Sequence, residues 1–249
     1  EQEWSVIPAN NLSAGEVAAG SQQDLAFKPE GDMQGDDLGS RNKIKTAKGL
    51  VWYPAETDVS IRPGWFYHEA EDQKVRSAEN LKEIYFHSVG RNGVLLLNIP
   101  PDKNGLLTAY DVKALQQWKQ KMNAIFAVNF LQLAKPAKAA ALLTDKNDAT
   151  AILLSADTAT IEFDLKKDCR FNVLKLQENI RVGQRIEQFV FEYWANGEWM
   201  KAAEGTTVGY KRLLEFSAVT AAKVRLRILS SRLQPALAEI GLYFSDTDK

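Results

Sequence analysis

The 249-residue sequence is poor in cysteine and histidine and has no long apolar run. Its single cysteine, Cys169, has no disulfide partner, so we expect it to be a small buried apolar residue. No stretch reaches the ~20 consecutive apolar residues of a membrane-spanning helix. Lys and Arg number 31 against 32 Asp and Glu, giving a net charge of -1. Because nucleic acids and anionic membranes usually select a basic surface, we expect neither as a partner.

The composition is that of a globular protein. With 45% hydrophobic residues and one cysteine, the composition excludes three classes of protein: a disordered chain, a collagen-like fibre and a disulfide-stapled miniprotein. Residues 1–48 are polar and lack periodicity, which predicts a long loop. Residues 49–53 form a short apolar run before Pro54, which predicts a buried strand that delivers the polar residues 55–58 to its carboxyl end.

The next segment alternates between helix and strand signals. Ser77 is a good N-cap for a helix that carries apolar residues at helical spacing. Residues 94–99 form a continuous apolar run, which predicts a strand covered on both faces, as in a parallel sheet. Thr108 with Asp111 then predicts the start of a second helix. Together with residues 49–53, this order predicts two βα units of a parallel barrel or an open sheet.

The pattern changes after Pro136. Short β-type runs with one buried face follow, separated by turn signals such as Asn196-Gly197. They predict an antiparallel β-sandwich. We therefore divide the chain into residues 1–136, with the α/β pattern, and residues 137–249, the all-β sandwich.

Three stretches resemble a known enzyme family. Residues 51–68 (VWYPAETDVSIRPGWFYH), 88–101 (SVGRNGVLLLNIPP) and 3–8 (EWSVIP) are similar to the C-terminal half of the catalytic barrel of α-L-fucosidases, glycoside hydrolase family 29, and in particular to the branch that acts on α-1,3/1,4-linked fucose. The tail from about residue 137 resembles the galactose-binding-like (discoidin-type) sandwich appended to such barrels. The resemblance implies the C-terminal part of a (β/α)8 TIM barrel followed by a β-sandwich.

The resemblance also implies a retaining mechanism, in which two carboxyl groups lie ~5 Å apart. In the family, the nucleophile follows a Trp-Phe-Asp-Gly type context and the acid/base a Gly-Asn-Glu segment, and this sequence contains neither. A (β/α)8 barrel takes ~250 residues, whereas about 135 are barrel-like here. We therefore expect a C-terminal portion of a larger fucosidase whose partner is the N-terminal half of the same barrel.

Six residues are predicted to contact the sugar. Glu56 is a candidate sugar contact, and the role of acid/base is the less favoured functional interpretation. The structural alternative is a loop carboxylate paired with Arg62. Trp65 is predicted either to stack on fucose or to be a core residue. Arg62 is predicted to bind sugar oxygens or to form a structural ion pair. The full set comprises Trp52, Glu56, Asp58, Arg62, Trp65 and His68.

The sequence thus predicts a segment of an α-L-fucosidase that acts on fucosylated oligosaccharides, without metal or organic cofactor. The substrate class suggests a periplasmic or extracellular location. Two alternatives remain open: a non-catalytic carbohydrate-binding protein that uses the sandwich, and a sandwich that only stabilises the barrel.

Overall fold

The computed structural model describes residues 6–9, 39–46, 49–52 and 54–246; at 6–9, 49–52 and 133 the description covers the backbone. Contacts divide the chain into two units, Glu1–Ala55 and Glu56–Lys249. The predicted boundary after residue 136 lies inside the second unit and stays a prediction. None of the described helices combines the length and the apolar character that crossing a membrane requires.

The first unit contains a two-stranded antiparallel sheet. Strand β1, Val6–Ala9, pairs with β2, Gly49–Trp52, and helix α1, Arg41–Lys45, is capped by the side chain of Ser40. The predicted loop over residues 1–48 is therefore wrong at β1 and α1. A strand of four residues carries little local signal, and its hydrogen bonds come from a partner some 40 residues away. Residues 10–38 of that predicted loop lie outside the described residues.

The second unit begins with a parallel βαβ motif. Strand β3, Glu56–Ser60, is followed by helix α2, Ala78–His87, and strand β4, Val94–Asn98, and the two strands are parallel. Helix α3, Ala109–Ile125, follows. The predicted N-caps are confirmed, because Ser77 accepts from the Asn80 amide and Thr108 from the Asp111 amide.

Two expectations about these strands are wrong. Residues 49–52 form a strand, but it pairs with β1, and the first strand of the parallel pair is the segment that we predicted to be a polar loop. In addition, β4 is not covered on both faces: Val94 and Leu96 are 48% and 52% exposed. In the part of the chain that the structure describes, a small core of Ile61, Leu81 and Ala114 packs the helices against one face of this pair.

The rest of the second unit is dominated by one antiparallel sheet, reached through the short helix α4, Ala137–Leu142. Its strand order is β5-β10-β6-β9-β7-β8. The strands are β5 Ile152–Leu153, β6 Ala159–Glu178, β7 Ile186–Ala195, β8 Glu198–Gly205, β9 Arg212–Ser231 and β10 Ala236–Tyr243. Three 3-10 helices, Glu69–Lys74, Phe130–Leu133 and Ile180–Val182, complete the elements of this unit.

The antiparallel prediction is confirmed, and its division into the two layers of a sandwich stays a prediction. Asn196 and Gly197 have φ values of 54° and 84° and form the predicted turn between β7 and β8. Cys169 is 7% exposed within the largest apolar cluster, as predicted. A second cluster joins the helices to the sheet, because Phe86 and Ile125 pack with Val173, Leu213 and Tyr243.

Candidate functional site

The carboxyl ends of β3 and β4 lie side by side, and β3 leads into a loop, residues 61–77, that carries three of the predicted site residues. Ser60 and Asn98 are register partners at these ends. The Asn98 side-chain amide donates to the Ser60 hydroxyl at 3.2 Å and to the Trp65 carbonyl at 2.7 Å. Asn98 therefore fixes Trp65 at the edge of the parallel pair. In barrels built from such units, this edge carries the active site.

Trp65 is available for binding. Its side chain is 46% exposed and the adjacent Phe66 is 74% exposed. An aromatic side chain that is held by its backbone and open to solvent can stack on the apolar face of a sugar ring. Trp65 is therefore not a core residue of the part of the chain that the structure describes, and its stacking on a sugar stays a prediction.

Arg62 lies at the centre of a buried polar cluster. Its guanidinium donates to the Asp111 carboxylate at 3.0 and 2.9 Å, to Asp72 at 2.8 Å and to the Thr108 hydroxyl at 2.9 Å. Neither the Arg62 nor the Asp111 side chain is exposed to solvent. Burial acts to lower the pKa of Arg62, but the hydrogen bonds and charges of Asp111 and Asp72 outweigh it and raise that pKa.

This cluster anchors the loop. Arg62 also donates to the His68 carbonyl at 3.4 Å and lies 4.9 Å from the centroid of the Tyr67 ring. The guanidinium thus ties the chain on either side of Trp65 to the first turn of α3. The structural ion pair, one of the two roles left open for Arg62, is present with Asp72 and Asp111. Direct contact of Arg62 with a sugar stays a prediction.

The remaining predicted site residues occupy other places. Glu56 follows β2 by four residues but also opens β3, so it lies at the opposite end of β3 from the Trp65 loop. Glu56 and Asp58 are both exposed, and strand alternation places them on one face. His68 is exposed at the start of the 3-10 helix Glu69–Lys74. The side chain of Trp52 lies outside the described residues.

Sequence reasoning missed the residues that position this loop. Asp111 was recognised as a capping residue, but its contact with Arg62, 49 positions earlier, has no local signal. The contacts of Asp72 with Arg62 and of Asn98 with the Trp65 carbonyl have no local sequence signal either. Among the described residues, no group of three or more His, Cys, Asp or Glu is placed to hold a metal ion.

Comparison with known proteins shows that this chain is similar to α-L-fucosidases, a class of glycoside hydrolase. The family model described as alpha-L-fucosidase matches residues 7–124, which include the parallel pair and the Trp65 loop. Alpha-L-fucosidase 1 of Arabidopsis thaliana is 34% identical over 96% of this chain and 46% of its own length.

Solved structures agree. The crystal structure of SpGH29 has a TM-score of 0.71 and 40% identity, covering 79% of this chain and 45% of that chain. A Ruminococcus gnavus GH29 fucosidase in complex with fucose has a TM-score of 0.72 and 30% identity, covering 80% and 43%. The chain is thus similar to α-L-fucosidases of glycoside hydrolase family 29, and it spans less than half the length of these relatives.

Proposed function

We propose that this chain forms the C-terminal part of a retaining α-L-fucosidase that removes terminal α-linked L-fucose from fucosylated oligosaccharides. The observation that carries the proposal is the exposed Trp65, held by Asn98 at the carboxyl edge of a parallel strand pair. This loop lies within the region matched by the family model. A fucosidase 30% identical to this chain has been crystallised with fucose.

The chemistry of fucose fits such a site. Its C6 methyl and one ring face are apolar and pack well on an indole, while its hydroxyls require fixed polar partners. Trp65 supplies the stacking surface in the proposal, Glu56, Asp58 and His68 are the proposed polar contacts, and Trp52 is the proposed wall. Arg62, whose side chain is fully buried, contributes by anchoring the Trp65 loop. Retention requires two carboxyl groups ~5 Å apart. We assign both carboxyl groups, the nucleophile and the acid/base, to the part of the barrel that precedes this chain. Glu56, which opens β3 at the end away from the Trp65 loop, is the less favoured candidate for the acid/base.

The exposed face of β4 supports the proposal that another half of the barrel packs against this chain. Val94 and Leu96 are about half exposed, although apolar residues of parallel strands are normally covered. In the proposal, the N-terminal half of the same (β/α)8 barrel covers this face, and the antiparallel sheet is the accessory sandwich. The enzyme then acts without metal or organic cofactor, in the periplasm or outside the cell, where such glycans are met.

The experiment uses the whole protein that contains this chain. It should hydrolyse an aryl α-L-fucoside and discriminate against the matching α-L-galactoside, which differs by one hydroxyl at C6. Proton NMR should show that the first sugar product keeps the α configuration. If Glu56 is the acid/base, Glu56→Gln lowers kcat by about 100-fold or more. If Glu56 is a sugar contact, the same substitution mainly raises KM. Absence of fucoside hydrolysis, or inversion of configuration, would refute the proposed activity.

A second function has its own supporting observation. On the β7–β8 hairpin, Trp194 is 40% exposed and its ring centroid lies 5.2 Å from that of Trp199. The Arg225 guanidinium lies 4.3 Å from the Trp199 ring centroid. An exposed tryptophan beside a charged residue can bind a glycan without cleaving it. Glycan binding without turnover by the whole protein would favour this non-catalytic function.

A further inference from the structure

A cavity of about 300 Å³ lies between the helices and the antiparallel sheet of the second unit. Its floor is formed by β6 and β10, and its walls by the end of α3, by Tyr85 of α2 and by the segment after α4. None of its lining residues belongs to the Trp65 loop. The cavity is therefore separate from the proposed catalytic edge.

The floor has an aromatic surface built by strand alternation. Glu239, Gly241 and Tyr243 share one face of β10. A Cβ atom added at Gly241 would lie 2.3 Å from the Tyr243 ring, so that ring lies directly over the glycine. The Phe126 ring meets Tyr243 edge-on at a centroid distance of 5.0 Å. Gly241 thus lets the Tyr243 ring lie along the floor of the cavity.

Three lysines line the same cavity and give it a positive charge. Lys146, Lys175 and Lys211 face two carboxylates, Asp148 and Glu239, so the formal sum of the lining charges is three minus two, or +1. Asp148 is exposed at the rim, whereas Glu239 is buried in the floor. Lys146 is exposed as well and offsets Asp148, so the net positive charge comes from Lys175 and Lys211 against Glu239.

Lys175 is poorly compensated for a partly buried ammonium group. Its side chain is 21% exposed, and its ion pair with Glu239 spans 4.0 Å. Burial lowers the pKa of Lys175, and the positive charges of Lys211 and Lys146 lower it further, against the attraction of Glu239 and Asp148. Burial also raises the pKa of the Glu239 carboxyl, which weakens it as a counter-ion. An anionic group near Lys175 would be stabilised here.

Lys211 is held where it can share such an anion. Its ammonium donates to the Tyr85 hydroxyl at 3.2 Å and lies 5.8 Å from the centroid of the same ring. Leu213 is the register partner of Lys175 on the neighbouring strand, and Lys211 comes two residues before Leu213. Lys175 and Lys211 therefore lie on neighbouring segments of the chain. The cavity therefore combines two ordered ammonium groups, an aromatic floor and the side-chain amides of Gln132 and Gln177.

We propose that this cavity binds one acidic sugar residue, with its anionic group at Lys175 and Lys211 and its ring on Tyr243. The volume is at the small end of ligand sites, which range over ~300–1,000 Å³, and it accommodates a single sugar ring. The shared chemistry is a negative charge on a hexose, supplied by a carboxylate or by a sulfate ester. The site does not depend on the proposed hydrolysis.

The test is a calorimetric titration of the whole protein with glucuronate, glucose 6-sulfate and, as the neutral control, glucose. We expect binding of at least one anionic sugar and weaker or no binding of glucose. The carboxylate and sulfate arms decide which source of charge the site accepts. Equal affinity for glucose, or no binding of either anion at millimolar concentration, would overturn the proposal.

Variants locate the binding site. Lys175→Met keeps the apolar stem and should weaken binding of the preferred anion about tenfold or more, since a hydrogen bond to a charged group contributes about 1.5–3 kcal/mol. Lys201→Met is the matched control, because Lys201 is 57% exposed and pairs with Glu204. Lys211→Met provides an independent second test if thermal melting shows that Lys175→Met does not fold. Affinity equal to that of the control variant would contradict the site.

Discussion

Arg62→Met tests whether the buried cluster holds the second unit together. In the wild type the Asp111 carboxylate has no solvent exposure and accepts from Arg62 twice within 3.0 Å. The substitution leaves that carboxylate with the Thr108 hydroxyl, which donates at 2.8 Å. Leaving one partner of a buried ion pair uncompensated costs about 3–5 kcal/mol. The more exposed pair with Asp72 adds about 1 kcal/mol or less.

The assay is urea unfolding of the whole protein, followed by tryptophan fluorescence. Arg62→Met should lower the unfolding midpoint strongly, whereas the exposed-pair control Lys201→Met should change the free energy of unfolding by less than about 1 kcal/mol. The double variant Arg62→Met with Asp111→Leu should recover part of the loss, because it removes the unpaired charge as well. If Arg62→Met unfolds at the same urea concentration as the control, the account of Arg62 as a structural anchor is refuted.

Three further predictions follow from the described contacts. Asn98→Ala removes the 2.7 Å bond to the Trp65 carbonyl and should raise KM for an aryl fucoside about three- to tenfold, since one hydrogen bond contributes about 1 kcal/mol; an unchanged KM would argue against positioning by Asn98. Burial raises the pKa of the Glu178 carboxyl from 4.5 to about 7. At 1.36 kcal/mol per pKa unit, protonation of Glu178 therefore stabilises the folded protein by about 3 kcal/mol. This stabilisation is fully present below pH 4.5 and is lost as the pH rises through about 7. Glu178→Gln should flatten that part of a stability-against-pH curve, and an unaltered slope would show that another group titrates. Gly209→Ala places a Cβ atom at φ +60° and 2.5 Å from the Asn92 side chain, so it should cost about 1–3 kcal/mol in thermal unfolding, and an unshifted Tm would contradict that strain.

Local signals predicted the elements whose chemistry is local. Ser77 and Thr108 each accept from an amide three residues ahead, and Asn196-Gly197 adopts the left-handed geometry that its hairpin needs. These features depend on a few neighbouring residues, so a single sequence reveals them. The run at residues 94–99 was likewise sufficient to predict β4.

Pairing over long distances was harder to predict. Strand β3 reads as polar because its exposed face carries Glu56 and Asp58, and its hydrogen bonds come from β4. Strands β6 and β9 each extend over 20 residues, and β6 passes through the polar residues Lys166, Lys167 and Asp168, which look like a turn. Strand β8 is half exposed at the sheet edge and lacks a strong apolar pattern. In each case the partner strand, rather than the local sequence, supplies the stabilisation.

The candidate site was predicted in its residue types more than in its geometry. Trp65, predicted to stack on fucose or to be a core residue, lies beside the carboxyl ends of β3 and β4, and its contact with fucose stays a prediction. The roles of Asn98 and Asp111 depend on contacts across 33 and 49 positions, which no short motif encodes. The sequence leaves two roles open for Arg62. The buried ion pair depends on the packing of the helix that carries Asp111 against the loop, which the sequence near Arg62 does not encode.

The most direct measurement compares kcat/KM for an aryl α-L-fucoside between Trp65→Ala and Trp194→Ala in the whole protein. Both tryptophans are about equally exposed, at 46% and 40%, but they lie on different parts of the second unit. We predict a loss of about tenfold or more for Trp65→Ala, since an aromatic contact contributes about 1 kcal/mol beyond the area that it buries, and an unchanged value for Trp194→Ala. Equal values for the wild type and Trp65→Ala, with both proteins folded, would contradict the claim that this loop forms part of the fucose site.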